Sequence, residues 1–284
     1  MKITVIGCNG QFGTDLMQTL SKEHELIGLN HNDIEVANYD SCLILKQNHP
    51  DVIINTAAFH KTDQCEIEPL KTFSVNALGA RNVALISKEI GATTVFVSTD
   101  YIFDGSQNKP YTEDDTPFPL STYGISKLAA EHFTRQNPKY YTIRIASVFG
   151  SAGASGKGGN FVETMIKKAK NKEKINVVDD MWMSPTYTKD AALTLKEILE
   201  HKLPFGVYHA TNKDYCSWYQ FAKEIFYISG LNPILNPIPT DPNYGNAKRP
   251  RFSALRSTKL PLYDLEPRGW KEALRAYLIE KGHM

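Results

Sequence analysis

The sequence predicts an α/β protein built on a doubly wound parallel sheet, with a second, smaller lobe. Three observations carry this prediction. Short apolar runs alternate with helical patterns through the first half of the chain, a glycine-rich turn directly follows the first apolar run, and the regular alternation ends after Gly150. Strands that alternate with helices are typical of a parallel sheet covered by helices on both faces.

The strands of the first half are short apolar runs, and the helices between them show helical periodicity. The strands are expected at 3–6, 25–29, 52–55, 94–98 and 141–145. The helices are expected near 11–22, 40–48, 70–90 and 122–136. Right-handed crossovers bring the carboxyl ends of parallel strands to one edge of the sheet, where ligands of such folds bind. The first turn and Thr99, which follows the fourth strand, therefore lie at that edge.

Composition excludes several classes of function. The net charge is +1, so no overall field attracts nucleic acid or a membrane surface. No apolar run approaches the ~20 residues that a membrane-spanning helix needs. Cys8, Cys42, Cys65 and Cys216 show no metal-ligand spacing and suit a reducing compartment. Because no signal-peptide pattern precedes the first strand, we expect a cytoplasmic protein.

The glycine-rich turn has the spacing Gly7-x-x-Gly10-x-x-Gly13. Gly7 permits a tight turn, Gly10 lets the backbone approach a pyrophosphate, and Gly13 allows the helix to pack closely on the strand. The anion would lie at the positive end of the first helix. The motif is weak alone, but a strand before it and a helix after it favour a Rossmann-like dinucleotide site over a plain turn.

The type of dinucleotide follows from the end of the second strand. An acidic residue there usually binds the adenine ribose and favours NAD. The second strand ends at Leu29 and continues as Asn30-His31-Asn32-Asp33, with no acid at the immediate end and no arginine for a ribose phosphate. Asp33 stands about 20 residues beyond the glycines, as in NAD sites. We therefore expect NADPH as cofactor, with NADH possible.

The second half is less regular and divides the chain. Helices are expected near 160–171, 188–200, 217–229 and 270–280, and strands near 175–178 and 206–210. We expect residues 1–150 to form the dinucleotide-binding domain, with returning segments about 175–212. Residues 151–174 and 213–284 would form the substrate-binding lobe. The small residues of Ser151–Gly159 are typical of a loop that either orders over a substrate or only links the two parts.

Three side chains at the predicted edge suit hydride chemistry at a carbonyl group. Tyr123 and Lys127 are four residues apart and share one face of a helix, and Thr99 ends the fourth strand. A free phenol has a pKa of about 10, and a nearby ammonium group is expected to lower it. Tyr123 would then donate a proton, Thr99 would orient the oxygen, and Lys127 would also hold the nicotinamide ribose.

The chain resembles the extended short-chain dehydrogenase/reductase family, and within it the branch of sugar-nucleotide reductases. The resemblance runs nearly end to end and depends on a set of landmarks: Gly7 to Gly13, Asn55 to Ala58, Val75 to Ala77 with Arg81-Asn82, Ser98 to Gly105, Tyr123 to Lys127, Ser184 to Tyr187 with Asp190, and Arg249 to Leu255. The combination is specific for the reductase branch, although no single landmark is.

The resemblance implies the activity and the site residues. The expected reaction is reduction of the 4-keto group of a nucleotide-linked 6-deoxy sugar, dTDP-4-dehydro-L-rhamnose to dTDP-L-rhamnose, with Thr99, Tyr123 and Lys127 as the catalytic residues. The residues expected to bind the cofactor are Gly7, Gly10, Gln11, Phe12, Gly13, Asn30, Glu35, Val36, Ala57, Ala58, Asn76, Tyr123 and Lys127. The residues expected to bind the substrate are Asp100, Tyr101, Asn160, Arg249 and Arg251.

The chain departs from the family pattern at two places near the expected sugar. Phe59 is followed by His60, Lys61 and Thr62 where the family has Thr, a spacer and Val. The fifth strand ends in Arg144-Ile145-Ala146-Ser147 where a tryptophan often lies against the substrate. Losing an aromatic platform changes the pocket. A different 4-keto sugar is therefore possible, with the Gly158-Gly159 loop compensating.

Other functions remain open. A dehydratase would need an acidic pair after the threonine, but Asp100 is followed by Tyr101. An epimerase or another nucleotide-sugar 4-ketoreductase is an alternative, and so is a non-catalytic dinucleotide-binding regulatory subunit. Some relatives bind magnesium through a glutamate at the position of Asp15; we expect Asp15 to be a solvated helix residue and the chain to bind no metal. A monomer or a homodimer is expected.

Overall fold

The structure is a computed structural model that describes residues 1–47, 49–153, 159–243 and 245–284. Its strands are β1 Lys2–Ile6, β2 Glu25–Leu29, β3 Val52–Asn55, β4 Thr93–Thr99, β5 Tyr140–Ile145, β6 Val148–Phe149, β7 Ile175–Val178, β8 Trp182–Met183, β9 Thr186–Tyr187, β10 Gly206–His209, β11 Cys216–Ser217 and β12 Leu235–Ile238. Its α-helices are α1 Gln11–Leu20, α2 Tyr39–Cys42, α3 Ile44–Gln47, α4 Thr62–Ile67, α5 Pro69–Phe73, α6 Gly79–Glu89, α7 Thr122–Thr134, α8 Phe161–Lys170, α9 Thr188–Glu200, α10 Trp218–Ser229 and α11 Trp270–Glu280.

The central sheet has six parallel strands among the described residues, in the order β10-β5-β4-β3-β1-β2. The chain moves from β1 to β2 in one direction and to β3 in the other, so the order reverses between β1 and β3. In that register Ile6 lies beside Asn55, at the carboxyl ends of both strands. Ligands of open parallel sheets bind outside such a reversal. The predicted α/β class with a parallel sheet is confirmed.

Helices cover both faces of the sheet because strand side chains alternate in direction. Ile3 and Val5 point to one face, where α1 and α9 pack through residues such as Leu16 and Leu195. Ile6 points to the other face, which α3 and α6 cover. Burial on both faces explains why the sequences of the inner strands are nearly continuous apolar runs. Five of the six strands begin or end within one residue of the expected positions, and the sixth, Gly206–His209, matches the expected 206–210.

The second lobe has a separate apolar core. Helices α8, α10 and α11 contribute Val162, Phe221 and Tyr277 to it. The strand β7 pairs with β12 from the proline-rich segment, and its Ile175 lies in this core. Residues 175–178, which we assigned to the segments that return to the sheet, therefore lie in the second lobe. The segments that do return to the sheet are α9 and β10. The division into two domains stays a prediction.

Two predicted helices are interrupted. The expected helix 70–90 consists of α5, a π-helical turn over Ser74–Leu78, and α6. The expected helix 40–48 is divided into α2 and α3. The sequence pattern missed α4 and the short strands, whose pairing partners are distant in the chain. Most of the proposed Ser151–Gly159 loop, including Gly158, lies outside the described residues, and no described helix is both long and apolar enough to cross a membrane.

Candidate active site

The glycine turn leaves a bare backbone cradle at the carboxyl end of β1. Gly7 has φ +80°, and a β-carbon on it would lie 2.5 Å from Thr56 Oγ1. A β-carbon on Gly13 would overlap the Gly7 carbonyl oxygen. Gly10 N donates to that same oxygen at 3.0 Å, which closes the turn. The turn therefore fits only glycine at Gly7 and Gly13.

The cradle opens onto the start of α1, whose first N–H groups have no partner within the helix and carry partial positive charge. These groups fit the pyrophosphate of a dinucleotide. The side chains of the two residues after Gly10 are occupied elsewhere. Gln11 Nε2 donates to the Val148 carbonyl at 3.2 Å, and the Phe12 ring is 6% exposed in the core beneath the sheet. We therefore expect Gln11 and Phe12 to bind a cofactor through their backbone.

The residues expected near the adenine form a folded loop after β2. The Asn30 N–H donates to Asp33 Oδ2 at 2.8 Å, and the Glu35 carboxylate accepts from the Ala37 N–H at 3.1 Å. Val36 is buried, and its carbonyl accepts from Asn82 Nδ2 at 3.0 Å. Asp33 thus stabilises the turn itself. The loop brings Asn30, Glu35 and Val36 together, and their contacts with a cofactor stay a prediction.

The loop after β3 is held by an amide from the π-helical turn. Asn76 Oδ1 accepts from the Phe59 N–H at 2.8 Å, while its Nδ2 donates to the Phe59 carbonyl and to Ser126 Oγ, both at 3.0 Å. Asn76 is 1% exposed, so its amide acts on the loop that carries Ala57 and Ala58. The extra residue of a π-helical turn, common at functional sites, supplies this side chain.

Thr99 and Tyr123 meet at the carboxyl end of β4. Thr99 ends the strand, is 7% exposed, and lies close enough to the half-buried Tyr123 hydroxyl to lower the pKa of that phenol. Tyr123 lies in the first turn of α7 because Ser121 caps that helix by accepting from the Gly124 N–H. Tyr101 contacts the edge of the Tyr123 ring at a centroid distance of 6.0 Å. Two of the three predicted catalytic groups therefore lie close together.

Lys127 lies one turn further along α7 and points at the same strand. Its Nζ donates to the Val97 carbonyl at 2.6 Å and lies 4.1 Å from the centre of the Phe96 ring. Burial lowers the pKa of Lys127 to about 7, and the nearby Glu131 opposes that shift. The amine therefore changes charge near neutral pH, which suits a group that exchanges protons with a neighbour.

The pKa of Tyr123 shifts in the direction opposite to the one expected. Burial raises it above the ordinary value, a hydrogen bond with Thr99 lowers it, and the Asp100 carboxylate raises it further. The expectation that Lys127 would lower this pKa was wrong, because desolvation dominates and the lysine is itself partly neutralised by burial. The Tyr123 phenol therefore stays protonated at neutral pH.

Asp100 lies beside this pair and is 3% exposed. Thr99 Oγ1 donates to its Oδ1 at 3.1 Å. Burial raises the pKa of Asp100 to about 6, although hydrogen bonds from Ser253 and Thr99 oppose that shift. Ser253 lies near Asp100, which places the Arg249 to Ser253 segment of the second lobe beside the end of β4.

The two arginines of that segment differ in their surroundings. Arg249 Nη2 lies 2.6 Å from Asp63 Oδ2 in α4, and the guanidinium lies near enough to Tyr101 to influence the pKa of its phenol. The side chain of Arg251 is exposed, and its carbonyl accepts from the Trp182 N–H at 2.8 Å. Arg249 therefore lies next to the Tyr101–Tyr123 pair, whereas Arg251 bonds Trp182 through its backbone and its charge acts on Asp180.

The expected substrate contact of Asn160 stays a prediction, and the expected solvation of Asp15 was wrong. Asn160 caps α8, donates to the Tyr277 hydroxyl at 2.9 Å and is 8% exposed, so its amide is used within the second lobe. Asp15 is 1% exposed rather than solvated, because Ser151 Oγ donates to it at 2.5 Å and Thr188 Oγ1 donates to its other oxygen. Among the described residues no group of three or more acidic, histidine or cysteine side chains could hold a metal ion.

Sequence reasoning missed the acidic residues of α4. Asp63 contacts Arg249, and Glu66 accepts from the Thr122 N–H at 2.8 Å, next to Tyr123. The family departure at His60 to Thr62 drew attention to this segment, but no local pattern in it predicts contacts with residues 56 or 186 positions away. These contacts became visible only from the packing of α4 on α7.

Comparisons with known proteins identify the family. The model described as the RmlD substrate binding domain matches residues 1–282. The chain is 40% identical to the spore coat polysaccharide biosynthesis protein SpsK of Bacillus subtilis (strain 168), over 99% of this chain and 98% of that protein. It is 33% identical to the dTDP-4-dehydrorhamnose reductase of Aggregatibacter actinomycetemcomitans, over 96% and 97%.

A solved structure supports the same relationship. The dTDP-4-dehydrorhamnose reductase from Bacillus anthracis str. Ames, in complex with NADP, matches with a TM-score of 0.93 and 34% identity, over 98% of this chain and 99% of that one. The resemblance inferred from the glycine turn, the Thr99 strand and the Tyr123 helix is thereby confirmed. The chain belongs to the family of the RmlD substrate binding domain, the family of the sugar-nucleotide 4-keto reductases.

Proposed function

We propose that this protein is an NADPH-dependent reductase of the 4-keto group of a nucleotide-linked 6-deoxy sugar, with dTDP-4-dehydro-L-rhamnose as substrate and dTDP-L-rhamnose as product. The proximity of Thr99 and Tyr123 at the carboxyl edge of the sheet carries the proposal. Relatives named as dTDP-4-dehydrorhamnose reductases, one of them bound to NADP, support the substrate and the cofactor.

The chemistry divides between the cofactor and the protein. NADPH, held by the Gly7–Gly13 turn and the start of α1, supplies the hydride that reduces the carbonyl carbon. Tyr123 donates the proton to the carbonyl oxygen, and its raised pKa keeps the phenol protonated until then. Thr99 orients the same oxygen through its hydroxyl. Lys127, with a pKa of about 7, is suited to return a proton to the Tyr123 phenolate from solvent and to hold the nicotinamide ribose.

The substrate lies between Tyr101 and the Arg249 to Ser253 segment in this proposal. A diphosphate carries negative charge and binds guanidinium groups through charge-assisted hydrogen bonds. Arg249 and Arg251 supply that charge, while Asp100 and Tyr101 face the sugar. Asn160, whose amide donates to Tyr277 and Gly150, stays a predicted substrate-binding residue.

The alternative functions differ in the acidic residues that they need and in whether they consume NADPH. A dehydratase needs a second acid after Thr99, and the chain has Asp100 followed by Tyr101. An epimerase regenerates its cofactor and shows no net oxidation, and a regulatory subunit binds the dinucleotide without turnover. The proximity of Thr99 and Tyr123 favours an enzyme over a regulatory subunit.

The decisive experiment measures NADPH oxidation by the pure protein with a panel of nucleotide-linked 4-keto-6-deoxy sugars. We expect one NADPH oxidised per sugar reduced, fastest with dTDP-4-dehydro-L-rhamnose, and slower with NADH. Sugar turnover without net NADPH oxidation would support an epimerase. NADPH binding with no turnover of any sugar would support the regulatory subunit and contradict our proposal.

We also propose a location and an assembly state for the protein. No described helix is able to span a membrane. We place the reductase in the cytoplasm, because the scattered cysteines suit a reducing compartment and nucleotide sugars are made from intracellular nucleotides. Its assembly as a monomer or a homodimer stays a prediction.

A further inference from the structure

The first turn of α7 is held in place by a side chain from another helix. The N–H groups that begin a helix need partners outside it. The Thr122 N–H donates to Glu66 Oε1 at 2.8 Å, and Thr122 Oγ1 donates to Glu66 Oε2 at 2.6 Å. A carboxylate is also favoured there by the helix dipole. Tyr123 is the next residue, so Glu66 acts one peptide bond away from the proposed proton donor.

The same short helix holds the cationic segment of the second lobe. Asp63, one turn before Glu66 in α4, accepts from the N–H groups of Asn246 and Ala247 at 2.8 and 3.0 Å. Its other oxygen lies 2.6 Å from Arg249 Nη2. A neighbouring hydroxyl, Thr62 Oγ1, accepts from the same guanidinium nitrogen at 3.3 Å. Asp63 therefore fixes both the backbone and the charge of this segment.

These contacts form a closed network around the site, which we call the circuit. Its members are Asp63, Arg249, Tyr101, Tyr123, Thr122 and Glu66. The Arg249 guanidinium lies near Tyr101, and the Tyr101 and Tyr123 rings meet edge to face at 6.0 Å between centroids. The circuit then returns through Thr122 to Glu66 and along α4 to Asp63. The two acidic side chains lie three residues apart, on one side of the helix. The helix fixes the distance between the Asp63 and Glu66 carboxylates. That distance in turn sets the one between the Tyr123 phenol and the Arg249 guanidinium.

We propose that Glu66 is a positioning residue for Tyr123, and that α4 is a brace whose other end, Asp63, positions Arg249. Glu66 touches neither the reacting carbonyl nor the phenol, and acts through the first turn of α7. The brace keeps the proton donor and the cation at a fixed separation, which matches a ligand with a ketone at one end and an anionic group at the other. This inference about the ligand rests on the proposed function.

The test compares Glu66→Ala with Glu66→Gln. A displacement of about 1 Å at a reacting group lowers rate by about 100-fold. We expect Glu66→Ala to lower kcat for NADPH oxidation by about 10- to 100-fold, with the NADPH Kd unchanged. Glu66→Gln keeps an oxygen for the Thr122 N–H and should recover most of the rate. Thr122→Val, which keeps only the backbone donor, should give an intermediate kcat.

A matched control separates positioning from loss of stability. Ser217 caps α10 by accepting from the Gln220 N–H, so Ser217→Ala also removes a cap but lies outside the circuit. We expect it to lower Tm without changing kcat. If Glu66→Ala and Ser217→Ala lose Tm alike and both keep the wild-type kcat, the brace is overturned while the reductase function stands.

A structural measurement keeps the test independent of turnover. Should the wild-type protein reduce no keto sugar, the proposed function fails, and crystal structures of Glu66→Ala and the wild type then decide the brace. We expect the Tyr123 hydroxyl to move by about 1 Å or more in the variant. An unmoved hydroxyl overturns the proposal. If Glu66→Ala does not fold, Thr122→Val is compared in the same way.

Discussion

At the scale of the residue, burial decides the charge of the groups at the site. Tyr123 has a raised pKa and Lys127 has one lowered to about 7, both chiefly because burial disfavours the charged form. A reductase needs a protonated phenol and an amine able to exchange protons, and both conditions follow from the same desolvation. The sequence indicates which groups are present, but only their surroundings set the direction of each shift.

Replacing the proposed proton donor tests its role. Tyr123→Phe keeps the ring and its contact with Tyr101 but removes the hydroxyl. We expect kcat to fall by about 100- to 10,000-fold while the NADPH Kd, measured by fluorescence titration, stays unchanged. Tyr227→Phe, at an exposed position of α10, is the matched control and should behave as wild type. Retention of activity by Tyr123→Phe would show that another group donates the proton.

The buried carboxylate of Asp100 should make stability depend on pH. Its pKa rises from an ordinary 3.8 to about 6 on folding, chiefly because of burial. The native state therefore binds more protons than the unfolded state between these values, and its stability falls as pH rises through them. Asp100→Asn removes this loss. We expect the variant to gain about 2–3 kcal/mol of unfolding free energy relative to wild type between pH 4 and pH 7.

Urea unfolding at both pH values measures that difference. Other titrating groups are common to the variant and the wild type, so they cancel in the comparison. Asp241→Asn, at an exposed position, should show no such gain. Parallel pH profiles for Asp100→Asn and wild type would mean that Asp100 ionises normally in the folded protein.

At the scale of the element, the glycine turn and α4 contribute through where they place backbone and side-chain groups. The turn leaves the start of α1 accessible because side chains at Gly7 and Gly13 would overlap the backbone or Thr56. The helix α4 contributes through two carboxylates at helical spacing. The turn could be predicted because its requirement is local and steric. The role of α4 could not, because its partners are distant in the chain.

Gly7→Ala should damage cofactor binding beyond its effect on stability. The change forces a left-handed backbone on alanine and sets a β-carbon 2.5 Å from Thr56 Oγ1. We expect the NADPH Kd to rise by about tenfold or more, since a displaced turn loses hydrogen bonds to charged groups worth about 1.5–3 kcal/mol each. Isothermal titration measures it.

Gly91→Ala is the control for backbone strain. Gly91 has φ +75°, and a β-carbon there meets nothing within 4 Å. This variant should lose about 1–2 kcal/mol of stability and bind NADPH normally. If both variants weaken NADPH binding equally, the effect comes from general destabilisation rather than from the turn.

At the scale of the whole molecule, α9 and β10 tie the two lobes together. After the second lobe begins, the chain returns to pack α9 on α1 and to add β10 to the edge of the sheet. Asp15 in α1 accepts hydrogen bonds from Ser151 and Thr188. Ser151 precedes the first segment of the second lobe in the chain, and Thr188 follows it. These contacts predict that the lobes unfold as one unit.

The tryptophans allow that prediction to be tested. Trp182, Trp218 and Trp270 all lie in the second lobe, in β8, α10 and α11. We expect tryptophan fluorescence and far-UV circular dichroism to give coincident urea transitions. NADPH at 100 times its Kd should raise the unfolding free energy by about 2.7 kcal/mol in both signals. A fluorescence transition that NADPH leaves unmoved would show that the lobes unfold separately.

The sequence by itself determined the parallel α/β fold, the glycine cradle and the identity of the groups at the strand ends. Each depends on a local cause: near-continuous burial of β1, β3, β4 and β5, steric exclusion at Gly7 and Gly13, and four-residue spacing between Tyr123 and Lys127. The tertiary structure decided the remainder. The position of β7 in the second lobe, the burial of Asp15, the raised pKa of Tyr123 and the contacts of Glu66 all depend on groups distant in the chain, whose proximity and solvent exclusion exist only once the protein has folded.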